Sequence, residues 1–269
     1  RREEYVPQAI AAGCDMFLFF NNIDEDYNFM LNGYKNGIIT EERLQDALER
    51  ILGFKATLGL HKAQKDGSIF RTEEDLKVIG CEDHIERAKQ AVDKGITLVK
   101  NTLDQLPIRP ETHKRIRLYY LEGEKGGLLG DSDSLQTIVK ELESRGFEVT
   151  VNDGNTRVKG PTLKYREEVD AALVFSNVVG YGAENNYRIK WKMAMSNEVP
   201  WYVHEVPTVF VSLNYTTHLT DVPMVKCYIN AYKDTEITIK AVVDKIMGES
   251  EFHGTPNELV WCNKWDTRL

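Results

Sequence analysis

The side chains best suited to chemistry lie in residues 178–188, which read Val-Val-Gly-Tyr-Gly-Ala-Glu-Asn-Asn-Tyr-Arg. Two glycines let this stretch bend. Four of its side chains can hydrogen-bond to sugars or stack on them: Tyr181, Asn185, Asn186 and Arg188. Alternatively, the stretch is a solvated loop in which Glu184 helps to start the next helix, where the helix dipole favours a carboxylate.

A second polar pair, Asn21 and Asn22, follows the apolar run Met16–Phe20. The run has the composition of a strand buried on both faces. Barrel enzymes place their sites at the carboxyl ends of strands, so both asparagines could contact a ligand. Alternatively, they cap the helical segment that follows, Asp24–Asn36. Asp15 lies at the other end of the run and is better suited to a structural hydrogen bond.

Spacing argues against metal, cofactor and serine-nucleophile chemistry. The four cysteines are far apart and form no CxxC or Cys/His pattern, so no metal site is predicted. The glycine-rich residues 123–127 lack the dinucleotide and P-loop spacings, and no cofactor is predicted. Ser176, Ser212 and His204 lack a GxSxG elbow and are not assigned as a catalytic triad. Single tryptophans at uneven spacing are interpreted as core or interface residues rather than as a sugar platform.

The composition of the chain excludes some classes of binding partner. The net charge of -8 over 269 residues disfavours nucleic acid and anionic membranes as partners. No apolar run approaches the roughly 18 residues that a membrane helix needs. Cys14 and Cys227 lie in apolar segments and are predicted to be buried thiols. Scattered unpaired cysteines weakly favour a reducing compartment such as the cytoplasm.

A long helix is predicted between Thr40 and Gly59. The Thr40 hydroxyl is a good N-cap, and Gly59 is suited to end the helix. Apolar side chains recur at helical spacing: Leu44, Leu48, Ile51, Phe54 and Leu58. They are expected to form a buried face. The polar residues 61–72 are interpreted as linker, and a further helix is predicted at about 73–94.

The rest of the chain alternates between apolar runs and helical patterns. The predicted strands are Ile96–Lys100, Ile116–Leu121, Phe147–Val151, Ala171–Asn177, Thr208–Leu213 and Val225–Asn230. The predicted helices are Ser134–Ser144, Tyr187–Ser196 and Glu236–Met247. Apolar strands interleaved with helices indicate a mostly parallel sheet covered on both faces. The predicted fold class is therefore α/β, a three-layer α/β/α sandwich with about six strands.

Several short motifs occur in the same order as in a known family. The early motifs are Ala12-Gly13-Cys14-Asp15-Met16, Gly37-Ile38 before Arg43-Leu44, and Arg50-Ile51-Leu52 before Gly59-Leu60. The later motifs are Ile96–Asn101 with Leu106-Pro107, Val209–Tyr215, and Phe252-His253-Gly254 with Pro256. The early set resembles the last strand and helices of the (β/α)8 catalytic barrel of glycoside hydrolase family 3. The later set resembles that family's C-terminal α/β sandwich domain.

This resemblance implies four parts. Residues 1–60 resemble the end of a truncated barrel, 61–75 a linker, 76–249 the sandwich domain and 250–269 a C-terminal tail. Retaining members use a carboxylate nucleophile and a separate acid. The family's nucleophile is an Asp shortly before the Ala-Gly-Cys-Asp-Met motif, and the residues before that motif here contain none. The resemblance therefore places the nucleophile before Arg1, and no catalytic residue is expected in this chain.

The acid that the resemblance implies depends on the branch of the family. The N-acetylhexosaminidase branch uses a His–Asp pair on a barrel loop. The β-glucosidase branch uses a Glu on a sandwich-domain loop, for which Glu184 is the nearest candidate. Because the fuller acidic pattern of that branch is missing, the resemblance favours an exo-acting β-N-acetylglucosaminidase, with β-glucosidase as the alternative. The substrate-contact candidates are Asn21, Asn22, Tyr181, Glu184, Asn185, Asn186 and Arg188.

Other functions stay open at this point. The sandwich could be a non-catalytic carbohydrate-binding or structural module, or the chain could be a self-sufficient doubly wound enzyme with an unrecognised ligand. The expected partner is a carbohydrate substrate of the full-length enzyme, and the isolated chain is expected to be inactive. A barrel strand without neighbours would expose an apolar face. The first 60 residues are therefore expected to pack on the sandwich, to dimerise or to rearrange.

Overall fold

A computed structural model describes residues 1–123, 133–154, 162–178, 188–191 and 198–261. The chain divides into two compact units, Arg1–Ile79 and Gly80–Leu269. The first unit contains helices without strands, and all of its residues are described. The second unit contains a six-stranded sheet.

Five helices make up the first unit: α1 Arg2–Ala11, α2 Ile23–Lys35, α3 Glu41–Thr57, α4 Leu60–Asp66 and α5 Glu73–Leu76. Val6 and Ile10 of α1 are buried, as is Ile39 before α3. Helices α1 and α2 approach closely at Gly33, where an added Cβ would lie 2.3 Å from the Cβ atom of Pro7. Glycine is therefore required for this contact.

Capping residues set the helix ends in this unit as predicted. The Asn22 side-chain oxygen accepts hydrogen bonds from the amides of Asp24 (3.0 Å) and Glu25 (3.1 Å) at the start of α2. The Thr40 hydroxyl accepts one from the amide of Arg43 (3.1 Å) at the start of α3. Such side-chain acceptors satisfy amides that the first helical turn leaves unpaired. Gly59 follows α3 with a φ of 67°, a conformation that glycine adopts without strain.

The prediction of a strand at Met16–Phe20 is wrong. The segment forms bends, Phe19 has a φ of 63°, and its side chain is 88% exposed. A strand needs a neighbouring strand to satisfy its backbone groups, and residues 1–79 contain no other strand. Cys14 is exposed, so its predicted burial is also wrong, because no layer covers this segment. The predicted structural role of Asp15 is confirmed, since its carboxylate pairs with Arg43 and Arg50.

The apolar face of α3 is only partly covered. Ala47 is buried, but Phe54 is 67% exposed and Leu48 and Leu58 are also exposed. The helix itself forms as predicted, because its capping and helical spacing are local properties. The expected burial of that face is wrong, since burial requires a second element packed against it.

Two other local predictions need correction. The segment predicted as linker contains helix α4, and the helix predicted over residues 73–94 is two helices, α5 and α6 Glu82–Gly95. Gly80, with a φ of 69°, lies between them. A residue in the left-handed conformation cannot continue a right-handed helix, so the helix is interrupted at Gly80.

The sheet of the second unit is mostly parallel. Its strands are β1 Thr97–Asn101, β2 Arg115–Glu122, β3 Glu148–Val151, β4 Ala171–Asn177, β5 Thr208–Ser212 and β6 Cys227–Asn230. They lie in the order β1-β6-β5-β4-β2-β3. β1 runs antiparallel to β6, and the other neighbours are parallel. All six predicted strands are confirmed, with ends that agree within two residues.

Helices cover both faces of this sheet, so the predicted three-layer sandwich is confirmed. Within the described residues, the remaining helices are α7 Ser134–Ser144, α8 Thr162–Glu168 and α9 Glu236–Met247, with 3₁₀ turns at Trp201–His204, Thr216–Thr220 and Glu258–Trp261. Helices α7 and α9 match their predictions, whereas α8 was not predicted. The helix predicted at Tyr187–Ser196 is not helical over residues 188–191, and its other residues lie outside the described part of the chain.

Strand β4 shows how the two cores form. Alternate residues of a strand point to opposite faces. Leu173 and Phe175 therefore pack against α7 and α9, while Ala172 and Val174 pack against α8 and the 3₁₀ turns. Every residue of β4 is buried. Burying side chains of this size stabilises the fold by roughly 1.5–3 kcal/mol each.

Candidate functional site

Polar residues end three adjacent strands at one edge of the sheet. Asn177 ends β4, Ser212 ends β5 and Asn230 ends β6. Ser212 pairs in register with Ser176 on one side and with Asn230 on the other. Open α/β sheets place ligand-binding loops at the carboxyl ends of their strands. Because these polar side chains end strands that are otherwise mostly apolar, this edge is the candidate site.

Asn177 is the centre of a hydrogen-bond network on one face of this edge. Its amide nitrogen donates to the hydroxyl of Tyr120 (2.9 Å) and to the carboxylate of Asp234 (3.1 Å). Its amide oxygen accepts from the side-chain nitrogen of Asn214. The hydroxyl of Ser134 donates to the same oxygen of Asp234 (3.0 Å). We call these five residues the Asn177–Asp234 network.

The opposite face carries a buried cluster around His218. The Nδ1 atom of His218 lies 3.0 Å from the Oγ atom of Ser212 and 3.3 Å from that of Ser176. Ser212 donates its own hydrogen to the carbonyl oxygen of Tyr215 (2.6 Å), so it must accept from His218. Nδ1 is therefore protonated, and the imidazole cannot act through this nitrogen as a base toward Ser212.

The His218 cluster is thus not a serine triad, in agreement with the sequence-based interpretation. His204, the histidine considered with these serines, lies in the 3₁₀ turn before β5 and its side chain is exposed. The cluster instead satisfies buried polar groups, which is its structural value.

The aromatic residues on the same face as His218 are structural. The rings of Tyr119 and Tyr202 stack at 4.2 Å, and the hydroxyls of Tyr119 and Tyr165 are 3.0 Å apart. Burial raises the pKa of Tyr165 to about 12, so its phenol stays protonated. Trp191 and Trp201 pack against this core. Both are partly buried, in agreement with their interpretation as core or interface residues.

The structure fixes one end of the stretch predicted to contact substrate. The guanidinium of Arg188 pairs with the carboxylate of Asp221, which also accepts from the amide of Ile189 (3.1 Å). The Asp221 side chain is buried, while that of Arg188 is largely exposed. Tyr181, Glu184, Asn185 and Asn186 lie outside the described residues. Substrate contact by this stretch stays a prediction.

The other predicted pair lies in the first unit and is exposed. Asn22 caps α2, as the alternative interpretation predicted. The amide of Asn21 donates to the buried carboxylate of Asp26 (3.0 Å), which also pairs with Arg2. This ion pair lowers the pKa of Asp26, because it favours the charged carboxylate. The side chain of Asn22 is thus partly committed to the fold, and contact of either asparagine with a substrate stays a prediction.

A groove of about 700 Å³ lies at the opposite edge of the sheet. It is lined by residues 103–113 and by the segment that ends at Pro207, immediately before β5. The groove contains none of the predicted site residues. Among the described residues, no group of three or more His, Cys, Asp or Glu side chains could hold a metal ion. Their helices include none that is long and apolar enough to span a membrane.

The network residues were not recognised from the sequence as site residues. A signal for one of them exists: Asn177 ends a mostly apolar strand, as Ser212 and Asn230 do on β5 and β6. Asp234 gives no such signal, because it lies four residues beyond the end of β6. Only the fold brings it to Asn177.

The fold and the polar carboxyl edge define a doubly wound α/β sandwich domain, preceded by a helical unit. No family model matches the chain. A curated relative, "Beta-N-acetylglucosaminidase/beta-glucosidase" of Cellulomonas fimi, is 36% identical over 273 aligned residues, which cover 100% of this chain and 48% of the relative. The relatives and structural neighbours of this chain are glycoside hydrolase family 3 enzymes, and the chain corresponds to their C-terminal part.

Solved structures agree with this assignment. A structure of "Beta-glucoside phosphorylase BglX" has a TM-score of 0.80 and 31% identity, covering 99% of this chain and 47% of that one. A family 3 β-N-acetylglucosaminidase from Paenibacillus has a TM-score of 0.59 and 17% identity, covering 94% of this chain and 47% of that one, and shows the shared fold. The chain spans about half the length of these relatives.

Proposed function

We propose that this chain is the C-terminal part of an exo-acting β-glycosidase that removes terminal β-linked sugars, with β-N-acetylglucosaminides as the favoured substrates. The observation that carries the proposal is the 36% identity to the Cellulomonas relative along the whole chain. β-Glucosides are the alternative substrates, because that relative is named for both activities. The proposed chemistry is retaining and proceeds through a covalent glycosyl–enzyme intermediate.

A second candidate reaction differs in the final acceptor. The chain is 31% identical over nearly its whole length to a protein named as a β-glucoside phosphorylase. In hydrolysis, water attacks the glycosyl–enzyme intermediate and releases the free sugar. In phosphorolysis, inorganic phosphate attacks instead and releases a sugar 1-phosphate. Both reactions form the same glycosyl–enzyme intermediate, so they share the first half of the mechanism and differ only in the group that attacks it.

We further propose that the nucleophile and the acid are supplied by polypeptide outside this chain. Asp234 is the carboxylate of the Asn177–Asp234 network, and its occupied hydrogen bonds support a structural role. The carboxyl edge, with Arg188 and the stretch before it, then contributes substrate contacts rather than the reacting groups. Glu184 is the alternative acid within the chain.

The exposed apolar surface of the first unit supports its origin as part of a larger barrel. Single exposed apolar side chains are normal, but large groups of them mark missing partners. The exposed group includes Met16, Leu18, Phe19, Phe20, Leu52 and Phe54. Covering this surface with further barrel elements, or with a second copy of the chain, would remove it from water.

An activity assay tests the proposal directly. Release of the aryl group from aryl β-N-acetylglucosaminide and aryl β-glucoside is measured on the 269-residue chain and on a protein extended by the coding sequence that precedes Arg1. We expect turnover only in the extended protein. Turnover by the 269-residue chain itself, abolished by Glu184→Gln, would instead place a reacting group in this chain.

Adding phosphate separates the two reactions. For a phosphorylase, inorganic phosphate accelerates turnover and the sugar 1-phosphate accumulates, as measured by phosphorus NMR. For a hydrolase, the free sugar is the product with or without phosphate. The extended protein carrying Glu184→Gln is the matched control for the activity assay. It retains the whole polypeptide but lacks the alternative acid.

A further inference from the structure

We infer that Tyr232 is a stacking surface for the pyranose ring of the substrate at the carboxyl edge of the sheet. This inference rests on the proposed function for its effect on turnover. Its structural half is a strained backbone that holds an aromatic ring at this edge, and that half is tested on the 269-residue chain alone.

Tyr232 differs from the other aromatic residues of the second unit in its exposure. It is 42% exposed, whereas the other aromatic side chains that the structure describes in this unit are buried or half-buried. It lies two residues beyond the end of β6, at the edge where open α/β sheets bind their ligands. The C–H face of a pyranose ring is apolar, and it leaves water when it stacks on an aromatic ring.

The backbone at Tyr232 adopts a conformation that bulky residues avoid. Its φ is 67°, and the amide of Lys233 donates to the carbonyl oxygen of Ala231 (2.9 Å). A hydrogen bond that closes a three-residue turn around a positive φ marks the strained form of the γ-turn, which is rare. Among the described residues of this unit, Asp104 is the other non-glycine with a positive φ, and aspartate tolerates it. Backbone strain of this kind concentrates at ligand-binding sites.

Contacts on both sides of the turn hold Tyr232 in place. The amide of Ala231 donates to the carbonyl oxygen of Ser212 (2.8 Å), so the chain still pairs with β5 directly before the turn. The hydroxyl of Tyr232 lies 3.0 Å from the Oγ1 atom of Thr97. Thr97 donates its own hydrogen to the carbonyl oxygen of Gly95 (2.8 Å), so Tyr232 must be the donor. The side chain is therefore fixed at its backbone and at its hydroxyl.

These two anchors place the ring along the carboxyl edge. Thr97 begins β1 and pairs in register with Asn230, the last residue of β6. The Tyr232 side chain therefore extends from the end of β6 to the start of β1. Because its hydroxyl is engaged, the ring is the part that a ligand can contact. A ring that is already held loses little freedom when a sugar stacks on it, which favours binding.

Three substitutions separate the ring from the hydroxyl and from the backbone strain. Tyr232→Phe retains the ring and loses the hydrogen bond to Thr97. Tyr232→Ala removes the ring and leaves a Cβ atom at a positive φ, whereas Tyr232→Gly removes the ring and the strain together. Leu163→Ala is the matched control, because Leu163 is also an exposed apolar residue of the second unit, on α8.

The structural half is measured by urea unfolding of the 269-residue chain, followed by tryptophan fluorescence. We expect the urea midpoint of Tyr232→Gly to exceed that of Tyr232→Ala by about 0.3 M, because glycine adopts a positive φ without strain. At unstrained positions the order is reversed. An equal or lower midpoint for Tyr232→Gly would overturn the claim that the backbone is strained.

The binding half is measured on the extended protein with its aryl glycoside. We expect Tyr232→Ala and Tyr232→Gly to raise KM about tenfold with kcat changed less than about twofold, because stacking acts on the bound substrate and on the transition state alike. Tyr232→Phe should raise KM by no more than about threefold, and Leu163→Ala should leave it unchanged. An unchanged KM in Tyr232→Ala, or an equal rise in Tyr232→Phe, would overturn the stacking role.

A binding experiment keeps the two proposals separate. If the wild-type extended protein turns over neither glycoside, the proposed function fails, and the stacking contact is decided by NMR titration of that protein with N-acetylglucosamine and with glucose. We expect one of these sugars to bind the wild type at least about fivefold more tightly than Tyr232→Ala. Equal affinities, or no binding of either sugar by the wild type, would overturn the inference.

Discussion

Lys245 provides a sharp test of how the second unit holds a buried charge. Its side chain is 1% exposed in α9. The ammonium group donates to the carboxylate of Asp93 (2.8 Å), to the hydroxyl of Ser250 (3.1 Å) and to the carbonyl oxygen of Glu251 (2.6 Å). An ammonium group has three hydrogens, so these partners satisfy it fully. The contacts tie α6, α9 and the segment after α9 together.

The expected cost of Lys245→Met follows from what is left unpaired. Methionine fills a similar length but donates nothing, so the carbonyl of Glu251 loses this donor. The hydroxyl of Ser250 still donates to Asp93 (2.7 Å), whose side chain is 39% exposed and remains hydrated. Losing a hydrogen bond from a charged donor costs about 1.5–3 kcal/mol. Because the ammonium no longer has to be desolvated, we expect a net loss of about 2 kcal/mol.

The reciprocal change should cost more. Asp93→Asn leaves the Lys245 ammonium buried without its counter-charge, and removing one partner of a buried pair costs about 3–5 kcal/mol. Partial exposure of Asp93 places the expected value near the lower end. The double variant Asp93→Asn/Lys245→Met contains no uncompensated buried charge. We therefore expect it to be more stable than Asp93→Asn alone.

Urea unfolding followed by tryptophan fluorescence measures these differences. All four tryptophans lie in the second unit, so the signal reports on that unit. The free energy of unfolding comes from linear extrapolation to zero urea. If Lys245→Met is as stable as the wild type, or if the double variant is less stable than Asp93→Asn, the reasoning from buried charge is refuted.

Acidification gives an independent test of the same pair. Hydrogen bonds from Lys245 and then Ser250 lower the pKa of Asp93 below its ordinary 3.8. A carboxyl with a lowered folded-state pKa stabilises the protein fully above its unfolded pKa and loses that effect as pH falls through the folded pKa. The stability difference between wild type and Lys245→Met should therefore be constant above about pH 5 and shrink below 3.8. A difference that grows on acidification would contradict this.

Two further predictions concern single positions. A methyl group on Gly254 would lie 2.2 Å from the Thr97 hydroxyl oxygen and 2.7 Å from two backbone carbonyl oxygens; Gly254→Ala should cost about 2–4 kcal/mol by urea unfolding. In the matched variant Gly53→Ala, the added methyl group on α3 meets nothing within 4 Å. This variant should raise helix stability by about 0.5–1 kcal/mol, measured by circular dichroism. If both substitutions destabilised the protein equally, the steric argument would be contradicted. In thiol labelling followed by mass spectrometry, exposed Cys14 should react in the native protein. Cys227, whose pKa burial raises to about 12, should react only on unfolding, and rapid native labelling of Cys227 would refute its burial.

Features that depend on neighbouring residues in the chain were predicted well. The cap at Thr40 and the end at Gly59 are formed by side chains and backbone within a few residues of each helix end. The six strands were recognised because each is a short apolar run between turn residues, a pattern that a sheet buried on both faces requires. Asn22 also capped its helix as one of two interpretations expected.

Features that depend on distant residues were predicted poorly. The apolar run Met16–Phe20 has a strand-like composition, yet no strand forms, because no second strand in residues 1–79 offers hydrogen bonds. The apolar face of α3 has helical spacing, yet it is largely exposed, because burial depends on another layer. The composition of a segment indicates which secondary structure it can form, but not whether the strand or layer that it must pack against is present.

The candidate site divides in the same way. The sequence by itself determined the sandwich, the order of its strands along the chain and the polar residues at their ends, since these follow from local pattern and turn chemistry. Only the tertiary structure decided that Asn177 meets Asp234, 57 residues away, and that His218 rather than His204 lies beside Ser212. Strand order in the sheet sets these contacts, and that order results from long-range packing that no local pattern specifies.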